Sequence, residues 1–171
     1  IEVTLSNDIT RTYYPSVKFP GLAHPPVLVT ENGEFWQHRW TGARIVGYVG
    51  GQAVAEKRYS DNPRLSQLLV QPDDTVLYND QVDETRVVCT FMDEFGNRLY
   101  HHMEAVSVSV SGDIELIGPS LIPSMGGCVA FWVRTCASGT RGTAGIHIHT
   151  SRPEIDGQTV TIRLELSGQE G

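Results

Sequence analysis

The sequence predicts an all-β protein made of two β-sandwich domains in tandem. Apolar and polar residues alternate with a period of two from Arg86 onward, and short turn segments rich in Gly, Asp, Asn and Ser separate the alternating runs. No long stretch shows the 3.6-residue periodicity of an amphipathic helix. Alternation of this kind is typical of antiparallel strands that bury one face and expose the other to solvent.

The predicted strands can be placed in order along the chain. The less regular first part gives strands at 1–5, 27–30, 34–40, 43–49 and 53–59, with a hairpin at 50–52. Prolines remove ladder donors between 14 and 26, so a long loop is predicted there. The second part gives clear strands at 85–92, 105–110, 129–133 and 159–166, and about seven strands in all, which is typical of an immunoglobulin-like sandwich.

The polar stretch at 60–63 separates these two parts and predicts a domain boundary. Residues 1–62 would form a small irregular β-sandwich, and residues 63–171 an immunoglobulin-like seven-stranded β-sandwich. Because a domain of about 60 residues buries only a small hydrophobic core, we expect the first domain to be stabilised by contacts with neighbouring domains. The sequence starts with Ile1 inside a candidate strand, so we expect a piece of a longer polypeptide.

Charge and cysteine content narrow the possible partners. The chain has 20 acidic and 13 basic residues, a formal net charge of -7, which disfavours nucleic acid. No apolar run approaches the ~20 residues of a membrane-spanning helix. Cys89, Cys128 and Cys136 form no CxxC pair and leave at least one thiol unpaired, which favours a reducing, cytoplasmic compartment. Whether Cys128 pairs with Cys136 is left open by the sequence.

Candidate catalytic and metal-binding groups are weak. His147 and His149 share a face of a predicted strand as two metal ligands could, but a third ligand is missing, so solvent-facing or interface histidines are expected. His101 and His102 are adjacent and predicted to be loop residues that point apart. The acidic pairs at 73–74, 83–84 and 93–94 sit in turn contexts. We therefore expect no catalytic residue, no metal and no cofactor.

Aromatic residues are the more informative candidates. Trp36, His38 and Trp40 alternate along a predicted strand and so share one face, while Trp132 is predicted to point away from the core. Such side chains either bury against a neighbouring domain or stack on sugar rings. All four are candidate residues for inter-domain contact or carbohydrate binding.

Several segments together resemble the C-terminal β-domains of family 2 glycoside hydrolases, the bacterial β-galactosidases especially. The hairpin at 43–57 is similar to an x-V-G-Y-x-x-G-K-x-V-A pattern, 77–83 to L-x-A-D-G-x-D, and 93–97 to D-x-x-G-N. Residues 112–118 are similar to G-x-G-E-L-I-G, and 127–135 to G-x-x-x-x-x-V-R-T. The sequence departs from these patterns at Asn79-Asp80-Gln81, where Gly usually follows Asp, and around Asp113, where the second Gly of the pattern is missing. More loosely, the pattern is shared with invasin-like and intimin-like bacterial immunoglobulin domains.

The resemblance implies a non-catalytic, structural region of a multidomain glycoside hydrolase. In that family the catalytic glutamates lie on a (β/α)8 barrel of ~250 residues with alternating strands and helices, which this sequence does not contain. The expected partners are the remaining domains of the parent polypeptide, with carbohydrate and a homo-oligomer as further possibilities. Two alternatives remain: a carbohydrate-binding module that uses Trp36 and Trp40, or an invasin-like adhesin spacer.

Overall fold

The computed structural model describes residues 2–5, 10–12, 42–60, 62, 64 and 66–168. It divides into two compact units, Ile1–Asn62 and Pro63–Gly171. Within the described residues the regular structure is β-strand apart from a 3₁₀ residue at Arg64, so the predicted all-β fold class is confirmed. The same residues include no helix with the length and apolar character to cross a membrane.

The first unit contains one antiparallel sheet of four strands in its described part. The strands are β1 (Glu2–Leu5), β2 (Thr10–Thr12), β3 (Gly42–Val49) and β4 (Gln52–Ser60), in the order β2-β1-β3-β4. Gly50 and Gly51, with φ of 58° and 80°, connect β3 to β4 in the type I′ geometry that favours glycine. Gln52, predicted to lie in this turn, is the first residue of β4. The strands predicted at 27–30 and 34–40 lie outside the described residues.

The second unit is a β-sandwich of two sheets. Its strands are β5 (Gln67–Pro72), β6 (Val76–Tyr78), β7 (Glu84–Met92), β8 (Ala105–Ser111), β9 (Ile114–Ile117), β10 (Leu121–Pro123), β11 (Cys128–Thr135), β12 (Gly142–Thr150) and β13 (Gln158–Glu165). The five-stranded sheet has the order β10-β8-β12-β13-β6, and the four-stranded sheet has the order β5-β7-β11-β9. All pairs are antiparallel except β6 with β13, which is parallel.

The described part of this unit has nine strands, where the sequence predicted seven. The difference has a simple cause, because β6 and β10 contain only three residues each. Three residues are too few to show a period of two that stands out from chance.

The core of the sandwich is built from the inward residues of both sheets. On β7, Val87, Cys89 and Phe91 are fully buried, and on β12 Ile146 and Ile148 are fully buried. Each such apolar side chain stabilises the fold by roughly 1.5–3 kcal/mol relative to an exposed position. Because side chains alternate along a strand, burying these residues fixes which of their neighbours face outward.

Candidate functional site

The residues that carry the family resemblance close turns at one end of the sandwich. Thr135, 2% exposed, accepts a hydrogen bond from the Asp83 backbone N–H at 3.0 Å and donates one to the Gln81 carbonyl at 2.7 Å. The Asp83 carboxylate in turn accepts the N–H groups of Tyr78 at 2.8 Å and Glu84 at 2.9 Å. Together these hydrogen bonds close the loop between β6 and β7 and hold it against the end of β11.

Asn79 and Asp113 form a polar network at the same end. Fully buried Asn79 donates through Nδ2 to the Asp113 carboxylate at 2.8 Å and to the Thr140 carbonyl at 3.0 Å. The hydroxyls of Ser138 and Thr140 also donate to Asp113. Donors from Ser138, Asn79 and Thr140 lower the pKa of Asp113 to about 2. The sequence analysis missed this network, because Asn79 and Asp113 are 34 residues apart in sequence.

The predicted acidic pairs lie in loops between strands, apart from Glu84, which is the first residue of β7. Asp93 accepts the N–H groups of Phe95 at 2.9 Å and Asn97 at 2.7 Å, which closes the loop after β7 as an Asx turn. Asp73 forms an ion pair with Arg86 at 3.0 Å. These carboxylates are therefore engaged in local structure.

All three cysteines are free thiols, and the pKa is raised at Cys89 and Cys136. Burial raises the pKa of Cys89 to about 12, and neighbouring Cys128 adds to the effect. Partial desolvation, with the charges of Asp113 and Glu115, raises the pKa of Cys136. Cys128 begins β11 and Cys136 follows its last residue, so an extended strand of eight residues, roughly 25 Å long, holds the two thiols apart.

The histidines of β12 lie on the outward face of the five-stranded sheet, as the alternation predicts. His147 is half-buried, with Nε2 3.0 Å from the Ser111 hydroxyl and Nδ1 3.2 Å from the Thr159 hydroxyl. The ring of His149 lies over Gly157, where an added Cβ would be 2.5 Å from Nδ1. In the described part of the chain, no three His, Cys, Asp or Glu side chains are grouped to hold a metal ion.

His101 and His102 do lie in a loop, but they differ in burial. His102 is 6% exposed and its ring packs against Phe91, with centroids 5.7 Å apart. His101 is exposed and contacts the His102 ring edge-on at 4.9 Å. His102 is thus a packing residue at the end of the core.

Trp132 lies on an exposed apolar strip of the four-stranded sheet. It is 44% exposed and sits directly opposite Ile117, which is 39% exposed. Val88 and Ala130 face each other one row along, and Leu69, 40% exposed, lies in the next row on β5. We call these five residues the Trp132 strip. Trp36, His38 and Trp40, the other predicted aromatic-site residues, lie outside the described residues.

Two ion pairs flank the strip. Arg86, directly opposite Trp132 on β7, binds Asp73 through Nε at 3.0 Å and Nη2 at 3.3 Å. Arg134, two residues after Trp132, binds Glu115 at 2.5 Å. The exposed indole therefore lies between charged groups whose geometry is fixed by their partners.

Comparison with known proteins shows which family the chain belongs to. No family model matches the chain. It is 30% identical over 115 residues to the β-galactosidase of Thermoanaerobacterium thermosulfurigenes, covering 64% of this chain and 16% of that protein. It is 33% identical over 103 residues to a β-galactosidase of Rhizobium radiobacter, covering 60% of this chain and 74% of that protein. The chain belongs to the β-galactosidase family.

Solved structures support the same fold for this β-galactosidase family member. A glycosyl hydrolase family 2 member from Bacteroides cellulosilyticus matches 73% of the chain with a TM-score of 0.56 and 17% identity. A β-glycosidase from Bacteroides vulgatus matches 95% of the chain and 21% of its own length with a TM-score of 0.54 and 12% identity. At these identities the likeness concerns the fold alone.

Within the β-galactosidases, this chain matches a short region that is built of β-strands. The chain spans 16% of the Thermoanaerobacterium relative and 15% of a β-galactosidase of Rhizobium meliloti, which is 31% identical over 116 residues. The described residues are strands with no alternating helices, so they do not form a (β/α)8 barrel. The match is to a non-catalytic region of a glycoside hydrolase.

Proposed function

We propose that this chain is an accessory region of a longer β-galactosidase-type enzyme, in which a different part of the polypeptide hydrolyses the glycosidic bond. The observation that supports it most is the size of the match, 15–16% of the length of two relatives. The motif residues support it too, because Thr135, Asp83 and Asp93 are engaged in closing turns. We further propose that residues 1–62 and 63–171 are separate folding domains.

If the rest of the enzyme carries the catalytic residues, the 171-residue chain alone has no activity. The chain should fold yet hydrolyse no nitrophenyl galactoside. Turnover that a single acidic substitution within the chain abolishes would contradict the accessory role.

The Trp132 strip is the surface we propose for contact with the rest of the enzyme. Leu69, Ile117 and Trp132 expose about 40% of their surface each on one sheet face. Covering the exposed part of such side chains removes apolar surface from water, which is favourable, and exposed apolar patches commonly mark contact sites. Since the relatives are about six times longer than the matched region, the remaining polypeptide is the partner that the comparisons support.

Hydroxyl-radical footprinting with mass spectrometry tests this contact without any substitution. Trp132 should be modified rapidly in the 171-residue chain and several-fold more slowly in the full-length enzyme. Tyr100, 71% exposed on a loop outside the strip, is the internal reference. Equal modification of Trp132 in both proteins would contradict the proposal, and protection that depends on the concentration of the isolated chain would indicate a homo-oligomer instead.

Carbohydrate binding at the strip is the second candidate. The observation that favours it is the fixed Arg86–Asp73 and Arg134–Glu115 pairs beside the indole, which could hydrogen-bond the hydroxyls of a stacked sugar. If it holds, lactose should protect Trp132 in the isolated chain, and a Trp132→Ala variant should lose that binding. Trp36, His38 and Trp40 stay predicted contact residues for the same two roles.

A further inference from the structure

The Trp132 strip runs obliquely across the whole four-stranded sheet. Trp132 on β11 lies opposite Ile117 on the edge strand β9. Two residues before Trp132, Ala130 lies opposite Val88 on β7, and Leu69 lies one row further, on the other edge strand, β5. The strip is therefore a diagonal of the sheet face rather than a patch around one residue.

The length of the strip follows from strand geometry. Neighbouring strands lie about 4.8 Å apart, so the distance across the sheet from β9 to β5 is about 14 Å. The shift along the strands from the Ile117 row to the Leu69 row corresponds to about four residues, or about 14 Å at ~3.4 Å per residue. The two ends of the strip are therefore roughly 20 Å apart, while its width is about one or two side chains.

Polar side chains and one thiol border the strip on its two long sides. Arg86 and Gln71 follow one side. Half-buried Thr90 and Cys128 follow the other, with the Thr90 hydroxyl 3.8 Å from the Cys128 sulfur. Arg86 is paired with Asp73 through two hydrogen bonds, so its charge is balanced within the sheet. A matching partner therefore needs a narrow apolar surface with polar edges, and it needs no net charge opposite Arg86.

A helix matches this shape better than a second sheet or a sugar does. A sheet packed face to face would cover the outward positions of all four strands, and would desolvate Arg86, Arg134 and Glu115 together with the strip. A sugar stacked on Trp132 would leave the Leu69 end of the strip in water. An amphipathic helix presents an apolar stripe between polar flanks, and a stripe of roughly 20 Å takes about 13 residues at ~1.5 Å per residue.

On the basis of the accessory role, we propose that an amphipathic helix of the remaining enzyme polypeptide packs along the Trp132 strip, with its axis on the diagonal from Ile117 to Leu69. Apolar residues of the helix at i, i+3 or i+4, i+7 and i+11 contact the strip. Its flanking polar residues stay in water beside Arg86 and Gln71. The remaining polypeptide is long enough to supply this helix, since the matched region is 15–16% of the length of two relatives.

Site-specific photo-crosslinking in the full-length enzyme tests the helix. The photoreactive residue p-benzoylphenylalanine replaces Trp132 in one protein and Leu69 in another, both of which are exposed in the chain. Mass spectrometry should map both crosslinks to one segment of the same polypeptide, at sites about 10–14 residues apart. A β-strand spans the same distance in about six residues, so the spacing separates a helix from a strand.

Two further variants act as controls. Thr161, exposed on the outward face of the five-stranded sheet, carries the same photoreactive residue and should give no crosslink to that segment. Ala130→Arg, also at an exposed position, places a charge in the middle of the strip and should reduce both crosslinks several-fold. An unchanged near-UV circular dichroism spectrum of the 171-residue Ala130→Arg chain establishes that the variant is folded.

Four results would overturn the helix. They are crosslinks from the two positions to different segments, crosslinked sites about six residues apart, crosslinks that join two subunits, and loss of both crosslinks in the presence of lactose. Absence of any crosslink from both positions would overturn the contact itself. The accessory role fails separately, on turnover of nitrophenyl galactoside by the 171-residue chain, so the two failures are distinguishable.

Discussion

Replacing Gly127 with alanine should destabilise the second unit far more than the same change at its neighbour Gly126. The two residues connect Met125 to Cys128 in a two-residue turn, and both have positive φ, 57° and 72°. A Cβ on Gly127 would lie 2.2 Å from the backbone oxygen of Leu99, whereas one on Gly126 meets nothing closer than 3.7 Å. The pair thus separates backbone strain from a steric clash.

The magnitudes follow from these distances. Alanine in the left-handed region costs about 1–2 kcal/mol, of which about 0.4–1 kcal/mol is offset because alanine restricts the unfolded chain. Gly126→Ala should therefore cost about 1 kcal/mol or less. At Gly127 the obstacle is backbone, which cannot rotate away, so the bonds from the Gly127 N–H to the His102 carbonyl and from the Phe91 N–H to the Gly127 carbonyl must stretch. Losing about one or two buried hydrogen bonds brings the total to roughly 3–5 kcal/mol.

Urea unfolding followed by near-UV circular dichroism measures both changes in free energy of unfolding, and calorimetry should show a fall in Tm of roughly 10–20 °C for Gly127→Ala. If the two variants unfold within about 1 kcal/mol of each other, the close approach to Leu99 does not constrain this turn, and the reasoning is refuted.

Thr135→Val preserves volume but leaves two backbone groups unpaired, so it should cost about 2–4 kcal/mol in urea unfolding, whereas exposed Thr161→Val should be near neutral. The lowered pKa of Asp113 stabilises the fold above the unfolded pKa near 3.8, and this contribution disappears as pH falls through about 2. Asp113→Asn should therefore flatten the acid limb of stability against pH, and an unchanged limb would contradict this. Iodoacetamide should label exposed Cys136 in the native chain but Cys89 only after unfolding, as mass spectrometry of the labelled peptides would show.

Local periodicity predicted the parts of the fold in which each strand is long. Val87, Cys89 and Phe91 were placed on one face from alternation alone, and all three are fully buried. The same alternation predicted that the Trp132 side chain points away from the core, and it is 44% exposed. A period of two is fixed by backbone geometry within one strand, so it needs no knowledge of what the strand pairs with.

Contacts between distant segments could not be predicted in this way. Asn79 meets Asp113 and Thr140 across 34 and 61 residues of sequence. Which loops meet depends on the order of the strands in each sheet, and a short strand such as β6 carries too little pattern to be placed. His102 shows the same limit, because its burial depends on packing against Phe91 rather than on its neighbours in sequence.

The residues that carry the family resemblance have structural roles, so the resemblance indicates the fold of the chain and not the substrate that it contacts. Thr135, Asp83 and Asp93 close turns through backbone hydrogen bonds, and Gly127 allows a backbone approach that a Cβ would block. These residues therefore act on the backbone conformation. Trp132 lies inside the same 127–135 motif, yet at a position that the motif leaves open. Whether this region contacts sugar therefore depends on surface residues such as those of the Trp132 strip, which can differ between relatives that share the fold.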